Sequence, residues 1–406
     1  MMRTRTIITL ALTYALLGLM MNSVGIVILQ SIAHFGATKL MGSTLEACKD
    51  LSVVAASLLL VAAVPAFGYR WSLVAVLVLM ATACLLASFA TNFIAMQALF
   101  VLTGLSFGIT KIATYSTIGL IARNPADHAS ITGLVEGVFM GGVLAGAWIF
   151  GWFIDAGDWL RVYWLLAALC VVTSCAWLGI RLDEAPVPVA KRSASVAAGW
   201  KDMLALAVLP ATVAVLATLF LYVLIEQGVG TWLPTFNREI LHLPATTSVQ
   251  MSSIFVAALA LGRLLSGLVL RRVAWLPVLL ACLAALALLV VAALPLAEGV
   301  RPRADTGWAN APFAAYLFPL IGLFLAPIYP TVCSVALSAL PQHRHAAMIG
   351  LIVIFSALGG TIGSFVVGLL FQSLPGAAAF YFLLVPIALV ALALSLVRRR
   401  IAGVTA

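Results

Sequence analysis

Lys111 stands in the stretch GITKIATYSTIGLIA (Gly108–Ala122), and residues 93 to 122 contain no Asp, Glu or Arg. An ammonium group in an apolar segment long enough to cross a bilayer costs about 2.5–3.5 kcal/mol, so such groups face a cavity or a partner. The chemistry open to Lys111 is pairing with an anion, supplied by the solute or by the protein. Glu136, in the next apolar stretch, is the candidate protein partner: a pair that a substrate anion or a proton opens, or a structural lock between two helices. A second cluster lies in STLEACKDLS, where Glu46, Lys49 and Asp50 are three and four residues apart and therefore share a helical face. These side chains read either as an outer gate with a proton-accepting carboxylate, Glu46 or Asp50, or as a self-neutralised helix end. Proton coupling needs a carboxylate whose affinity for its proton is tuned by burial and neighbours, and Glu46, Asp50 and Glu136 are the candidates.

The third set is EQGVGTWLPTF, with Glu226, Gln227 and Trp232, whose glycines and Pro234 predict a broken helix beside a cavity. Together with Asn22 and Gln30, Glu226 and Gln227 offer hydrogen bonds to a polar solute. Tyr115, Tyr222, Trp232 and Tyr329 offer aromatic walls, although rings in apolar helices serve packing more often. Arg263 reads as a conformational latch or carboxylate partner, and Arg70 as a residue of a gating loop.

The elements that must position these groups are membrane helices. The chain has 406 residues, 64% of them hydrophobic and 9% charged, with a mean hydropathy of +1.18, far outside the soluble globular range. Apolar runs of about 20 residues or more predict twelve spans: 7–30, 42–66, 71–90, 94–122, 129–154, 160–180, 204–236, 248–270, 274–297, 311–340, 344–373 and 376–397. The start MMRTRTIITLALTYALL imitates a signal peptide, but no small-residue cleavage motif follows, and it is read as the first span. The six cysteines all lie in apolar runs without a Cys-x-x-Cys pair, which points to neither a metal nor a redox site. No cofactor is expected.

The net charge of +9 is topogenic, and no nucleic-acid partner is expected. Of the 22 Lys and Arg, three (Lys49, Lys111 and Arg263) lie within spans and five (Lys39, Arg161, Arg238, Arg301 and Arg303) on one side; the other fourteen share the side of the termini. The positive-inside rule then places both termini in the cytoplasm, with the chain a multi-pass protein of the inner membrane.

The polar stretch RLDEAPVPVAKRSASVAAGWKD, residues 181–202, divides an N-terminal six-helix bundle (1–180) from a C-terminal one (203–400). The two are repeats. HASITGLVEGVFMGGVLAGAWIFGWF from His128 aligns with HAAMIGLIVIFSALGGTIGSFVVGLL from His345, matching Gly133, Gly142, Gly146 and Gly151 with Gly350, Gly359, Gly363 and Gly368. A shorter match sets MNSVG at Met21 against EQGVG at Glu226. Parallel six-helix repeats are the architecture of major facilitator transporters, whose solute sites lie near mid-membrane. The recurrent Gly-x-x-x-Gly spacings, including Gly104/Gly108, Gly137/Gly141, Gly142/Gly146 and Gly359/Gly363, predict close helix packing. In this register Glu136 faces Val353, so the repeat itself requires no charge there.

Three stretches carry a closer resemblance: GRLLSGLVLRR (262–272), LAPIYPTVCSVALSALP (325–341) and EQGVGTWLPTF (226–236). With them the chain resembles the fucose–galactose–glucose:proton symporter family. The major facilitator loop motif Gly-x-x-x-Asp-Arg-x-Gly-Arg-Arg survives only as PAFGYRWS, with Gly68 and Arg70 kept and Pro65 in place of the Asp. The resemblance implies a sugar site and proton uptake built on an Asn and an Asp three residues apart in helix one and a Glu in helix four. Here Asn22 keeps the first position, Gly25 replaces the Asp, and Lys111 replaces the Glu.

No nucleotide-binding Gly-Lys-Ser/Thr loop occurs, so transport driven by a gradient is expected: proton-coupled movement of a sugar, sugar derivative or small organic anion by a non-enzymatic monomer in the bilayer. An efflux pump of the same fold is the rival reading, and a non-transporting membrane receptor the remote one.

Overall fold

The computed structural model describes residues 2–60, 63–182, 203–302, 306–341 and 344–402; the linker expected at 181–202 falls, from residue 183 on, outside them. All its regular structure is helical. Among the described residues eleven helices are long and apolar enough to cross a membrane. The twelfth is Lys39–Leu59, 21 residues long, in which Glu46, Lys49 and Asp50 interrupt the apolar run. The spans are numbered one to twelve below in chain order.

Span one differs from its expected 7–30. It runs as Met2–Met21 and Val24–Phe35, broken at Asn22–Ser23, and ends at Gly36, whose φ of +65° is the left-handed conformation that favours glycine. Span seven breaks similarly, into Pro210–Gly230 and Leu233–Glu239. Span ten is a series of short helices from Ala314 to Ser338, interrupted at Pro319 and Pro327, where ring sterics and the missing N–H disrupt the helical ladder. Spans four (Phe93–Ile121) and five (Pro125–Asp155) have well-formed starts. Asn92 accepts from the Ala95 N–H at 3.1 Å and Asn124 from that of Asp127 at 2.8 Å, occupying N–H groups that a helix start leaves free.

By contacts the chain falls into two compact units, residues 1–37 with 44–192, and residues 38–43 with 193–406. The first turn of span two thus belongs to the second unit, where Lys39 pairs with Glu239 at 2.6 Å. Within the first unit, span one packs on spans four, five and six, and span three on four and six. Within the second, span seven packs on ten, eleven and twelve, and span nine on ten and twelve. These pairs correspond span for span between the two units.

Glycines make those joints. A Cβ added to Gly142 would lie 2.2 Å from the Ala15 carbonyl oxygen, and one on Gly359 would lie 2.3 Å from that of Phe220. A Cβ on Gly104 would meet the Lys49 carbonyl at 2.2 Å, and one on Gly322 that of Phe255 at 2.7 Å. Not every glycine singled out does this: Gly133, Gly137 and Gly141 have nothing within 4 Å of a Cβ position, so the packing expected of the Gly137/Gly141 spacing is not made.

Candidate functional site

In the first unit, spans one, four and five converge on Glu136. Tyr14 of span one donates its phenol hydrogen to Glu136 Oε1 at 3.3 Å, and Tyr115 of span four donates to the same oxygen. Tyr14 stacks on Phe107 at 5.8 Å and meets Phe139 at 5.1 Å. That approach requires Gly18, where a Cβ would sit 2.7 Å from the Phe139 ring. Tyr14 is 2% exposed, so its hydroxyl needs an acceptor, and Glu136 supplies one.

Lys111 lies one turn from both Phe107 and Tyr115, which places it on the helix face that meets this cluster. The residue is exposed, and Glu136 acts on it electrostatically. The expected Lys111–Glu136 ion pair is not formed: Glu136 lies at the level of Tyr115, and among the described residues no carboxylate comes within 4.0 Å of the Lys111 ammonium. Two phenols bond the carboxylate, which acts on the ammonium through its charge without a direct contact.

Span two carries the other charges of this unit. Glu46 is fully buried and Lys49 is 3% exposed. Lys49 Nζ pairs with Glu46 and lies 3.5 Å from Asp50 Oδ1, so one ammonium serves two carboxylates. Gly104 brings span four directly against the Lys49 backbone, and Lys111 lies seven residues, about 10 Å, further along that span.

In the second unit, Glu226 of span seven and Arg263 of span eight approach to 3.8 Å. Tyr222, one turn before Glu226, is fully buried and lies 5.5 Å from Tyr329 of span ten, ring to ring. Ser356 of span eleven donates to the Tyr329 hydroxyl at 3.4 Å. Gln227 is half-buried beside Glu226.

Three expected site residues are placed differently. Trp232 is fully buried, its indole N–H donates to the Ser364 carbonyl at 2.8 Å, and its ring fills the space over Gly368. It packs the helix break and presents no wall to a solute. Asn22 sits at the break in span one, exposed, with its amide donating to the Gly18 carbonyl at 3.0 Å. Arg70 ties the start of span three to the end of span six, donating to the Trp177 carbonyl at 3.1 Å and the Leu178 carbonyl at 2.8 Å, where a cation also suits the helix C-terminus. The sequence reading did not single out Tyr14, Phe107 or Phe139. An aromatic in an apolar span carries no local mark of function, and only the packing of spans one, four and five shows their common target.

The Major Facilitator Superfamily model matches residues 10–302. No curated protein matches the sequence significantly. Among solved structures, a point mutant of the nucleoside transporter NupG superposes with a TM-score of 0.75 at 13% identity, covering 98% of this chain and all of that one. A D-xylose-proton symporter gives 0.74 at 12% identity, with 97% of each chain covered. A bacterial homologue of the human lysosomal transporter Spinster, inward-facing and occupied, gives 0.69 at 13% identity, covering 100% of this chain and 97% of that one. At such identities the likeness is one of fold.

Proposed function

The chain belongs to the Major Facilitator Superfamily, and on that premise we propose that this multi-pass secondary transporter moves a small polar solute bearing a carboxylate or similar anionic group. The observation that carries the reading is Lys111, an exposed residue within a membrane span, with no carboxylate within 4.0 Å among the described residues, near a Glu136 already bonded by two phenols. A charge-assisted hydrogen bond to a solute anion contributes about 1.5–3 kcal/mol, which offsets the cost of holding the cation there. The half-buried Tyr115, Phe107 and Phe139 rings supply the adjoining wall, with Tyr14 buried behind them. Glu226, Gln227, Arg263 and Tyr329 are the second unit's polar contribution.

Proton coupling runs through Glu136 and through Asp50 with Glu46. Protonating Glu136 changes which partners its oxygens accept, and protonating Asp50 leaves Lys49 to Glu46 alone. Either event biases a rocking motion of one six-helix unit against the other, with Lys49, Arg263 and Arg70 holding the helices that move. The positive-inside count supports an inner-membrane protein with cytoplasmic termini.

A neutral sugar is the second reading, supported by the resemblance to the fucose–galactose–glucose:proton symporters and by the phenols and Ser356 of the second unit. A thermal-shift panel of sugars, sugar acids and small carboxylates against wild type and Lys111→Gln separates the two. An acid that stabilises wild type alone supports the anion reading, and equal stabilisation of both proteins rejects it. Uptake into liposomes under an imposed pH gradient tests the coupling; accumulation unaffected by collapsing the gradient sinks it.

A further inference from the structure

Spans eight (Ala245–Val269) and nine (Trp275–Ala297) join through a tight turn carrying Arg271 and Arg272, both exposed. Away from this turn the helices part, because span nine packs on spans ten and twelve. The parting leaves a groove of about 460 Å³ in the second unit. Leu265 and Val269 form one wall, Pro277 and Ala281 the other, and Leu323 and Phe324 of span ten the floor. Ser266 also lines it, but its hydroxyl donates to the Arg263 carbonyl of its own helix at 2.9 Å. The groove therefore presents hydrocarbon.

We infer that this groove binds one acyl chain of an anionic phospholipid from the surrounding bilayer, with the lipid phosphate held by Arg271 and Arg272. Dimensions and charge both select that occupant. Gly262 to Val269 is about 10 Å along a helix, inside the roughly 15 Å that one leaflet contributes to the hydrocarbon core. The groove thus accommodates a chain from a single leaflet. Val269 and Val273, which both line the groove, flank the two guanidinium groups in the turn, neither with a carboxylate within 4.0 Å among the described residues. Guanidinium groups bind phosphate oxygens through paired N–H donors, and paired cations beside an apolar groove fit an anionic head group with its tail. A zwitterionic lipid meets the groove but gains less at the turn, because its own ammonium opposes the pair.

The test uses the full-length protein in detergent micelles, titrated with phosphatidylglycerol or phosphatidylcholine of identical chains. Retained lipid is read by native mass spectrometry and stability by thermal unfolding. Phosphatidylglycerol is expected to be retained at least about tenfold better and to raise the unfolding temperature further. Arg271→Gln/Arg272→Gln removes that preference, and Arg271→Lys/Arg272→Lys keeps part of it. Ala281→Trp fills the groove and reduces retention of both lipids. Both arginines are exposed turn residues, so the double glutamine variant decides the question even if Ala281→Trp fails to fold. Equal retention of the two lipids, a preference that survives the glutamine variant, or equal stabilisation by inorganic phosphate overturns the assignment.

Discussion

In the first unit a Cβ placed on Gly142 would lie 2.2 Å from the Ala15 carbonyl oxygen; in the second, one on Gly359 would lie 2.3 Å from that of Phe220. The joints are the same while the charges beside them are not. Glu136, six residues before Gly142, corresponds to Val353, and Asp127 corresponds to Arg344. Lys49 and Phe255, whose carbonyls take equivalent places against Gly104 and Gly322, differ in the same way. Close backbone approach is thus common to both repeats and serves the bundle. Among the described residues the fully buried pair Glu46–Lys49 appears in one repeat only, so the bundle as such does not need it.

The largest expected effect breaks the comparison at span two. Lys49→Met leaves Glu46 and Asp50 without their cation and is expected to cost about 3–5 kcal/mol, as removal of one member of a buried pair does. Phe255→Leu at the equivalent place is expected to cost under about 1.5 kcal/mol. Thermal unfolding of the two variants measures the difference, and equal losses remove the distinction between charge and joint.

Next come the joints themselves. Gly142→Val and Gly359→Val each force side-chain atoms against a carbonyl, costing about 1–3 kcal/mol or more, with similar losses in the two units. Gly137→Val, where nothing lies within 4 Å, is expected to leave the unfolding temperature nearly unchanged.

At the candidate site, Lys111→Gln is expected to weaken binding of an anionic solute about tenfold or more, from loss of a contact worth about 1.5–3 kcal/mol. Arg263→Gln is expected to weaken it less, because Arg263 already faces Glu226 at 3.8 Å. Solute titrations followed by thermal shift rank the two, and a larger loss at Arg263 reverses the assignment of the anion to the first unit.

Smaller still, Tyr14→Phe removes one of the two phenols on Glu136 and is expected to cost about 0.5–1.5 kcal/mol. Tyr329→Phe, which loses only a 3.4 Å contact from Ser356, should cost less.

The smallest effect concerns Asp127, in the first turn of the span-five helix, ahead of its apolar segment Ser130–Asp155. The backbone N–H of Arg123 and the Arg3 guanidinium hold its carboxyl below the usual carboxylate range. Its folded value is lower than its unfolded one, so its contribution is present above about pH 4 and is lost as pH falls through the folded value. The stability difference between wild type and Asp127→Asn should therefore shrink on acidification. A difference that is constant with pH would assign the effect to shape rather than charge.

Much of this was legible from residue order. Apolar run length predicted each span to within a few residues in most cases, and span two, whose charges interrupt its run, was still found at nearly full length. The break in span one was missed because MNSVG contains no proline, whereas Pro234 announced the break in span seven. Trp232 was misread as a wall because sequence does not show which side of a helix is enclosed. The proposed Lys111–Glu136 pair makes no direct contact, although the two charges still interact, for a related reason: counting rise along two helices gives depth only to within a turn, and one turn decides whether a carboxylate meets an ammonium or a phenol.

By itself the sequence determined that the chain lives in a bilayer, that it is built from two repeats, and that Glu136 is a charge without a mirror image. These follow from composition, periodicity and internal alignment, which are properties of order along the chain. Tertiary structure alone decided that Tyr14 and Tyr115 occupy Glu136, that Lys49 serves two carboxylates, and that spans eight and nine part over hydrocarbon. Those facts depend on distances of a few ångströms between helices remote in sequence, set by where glycine lets one backbone reach another.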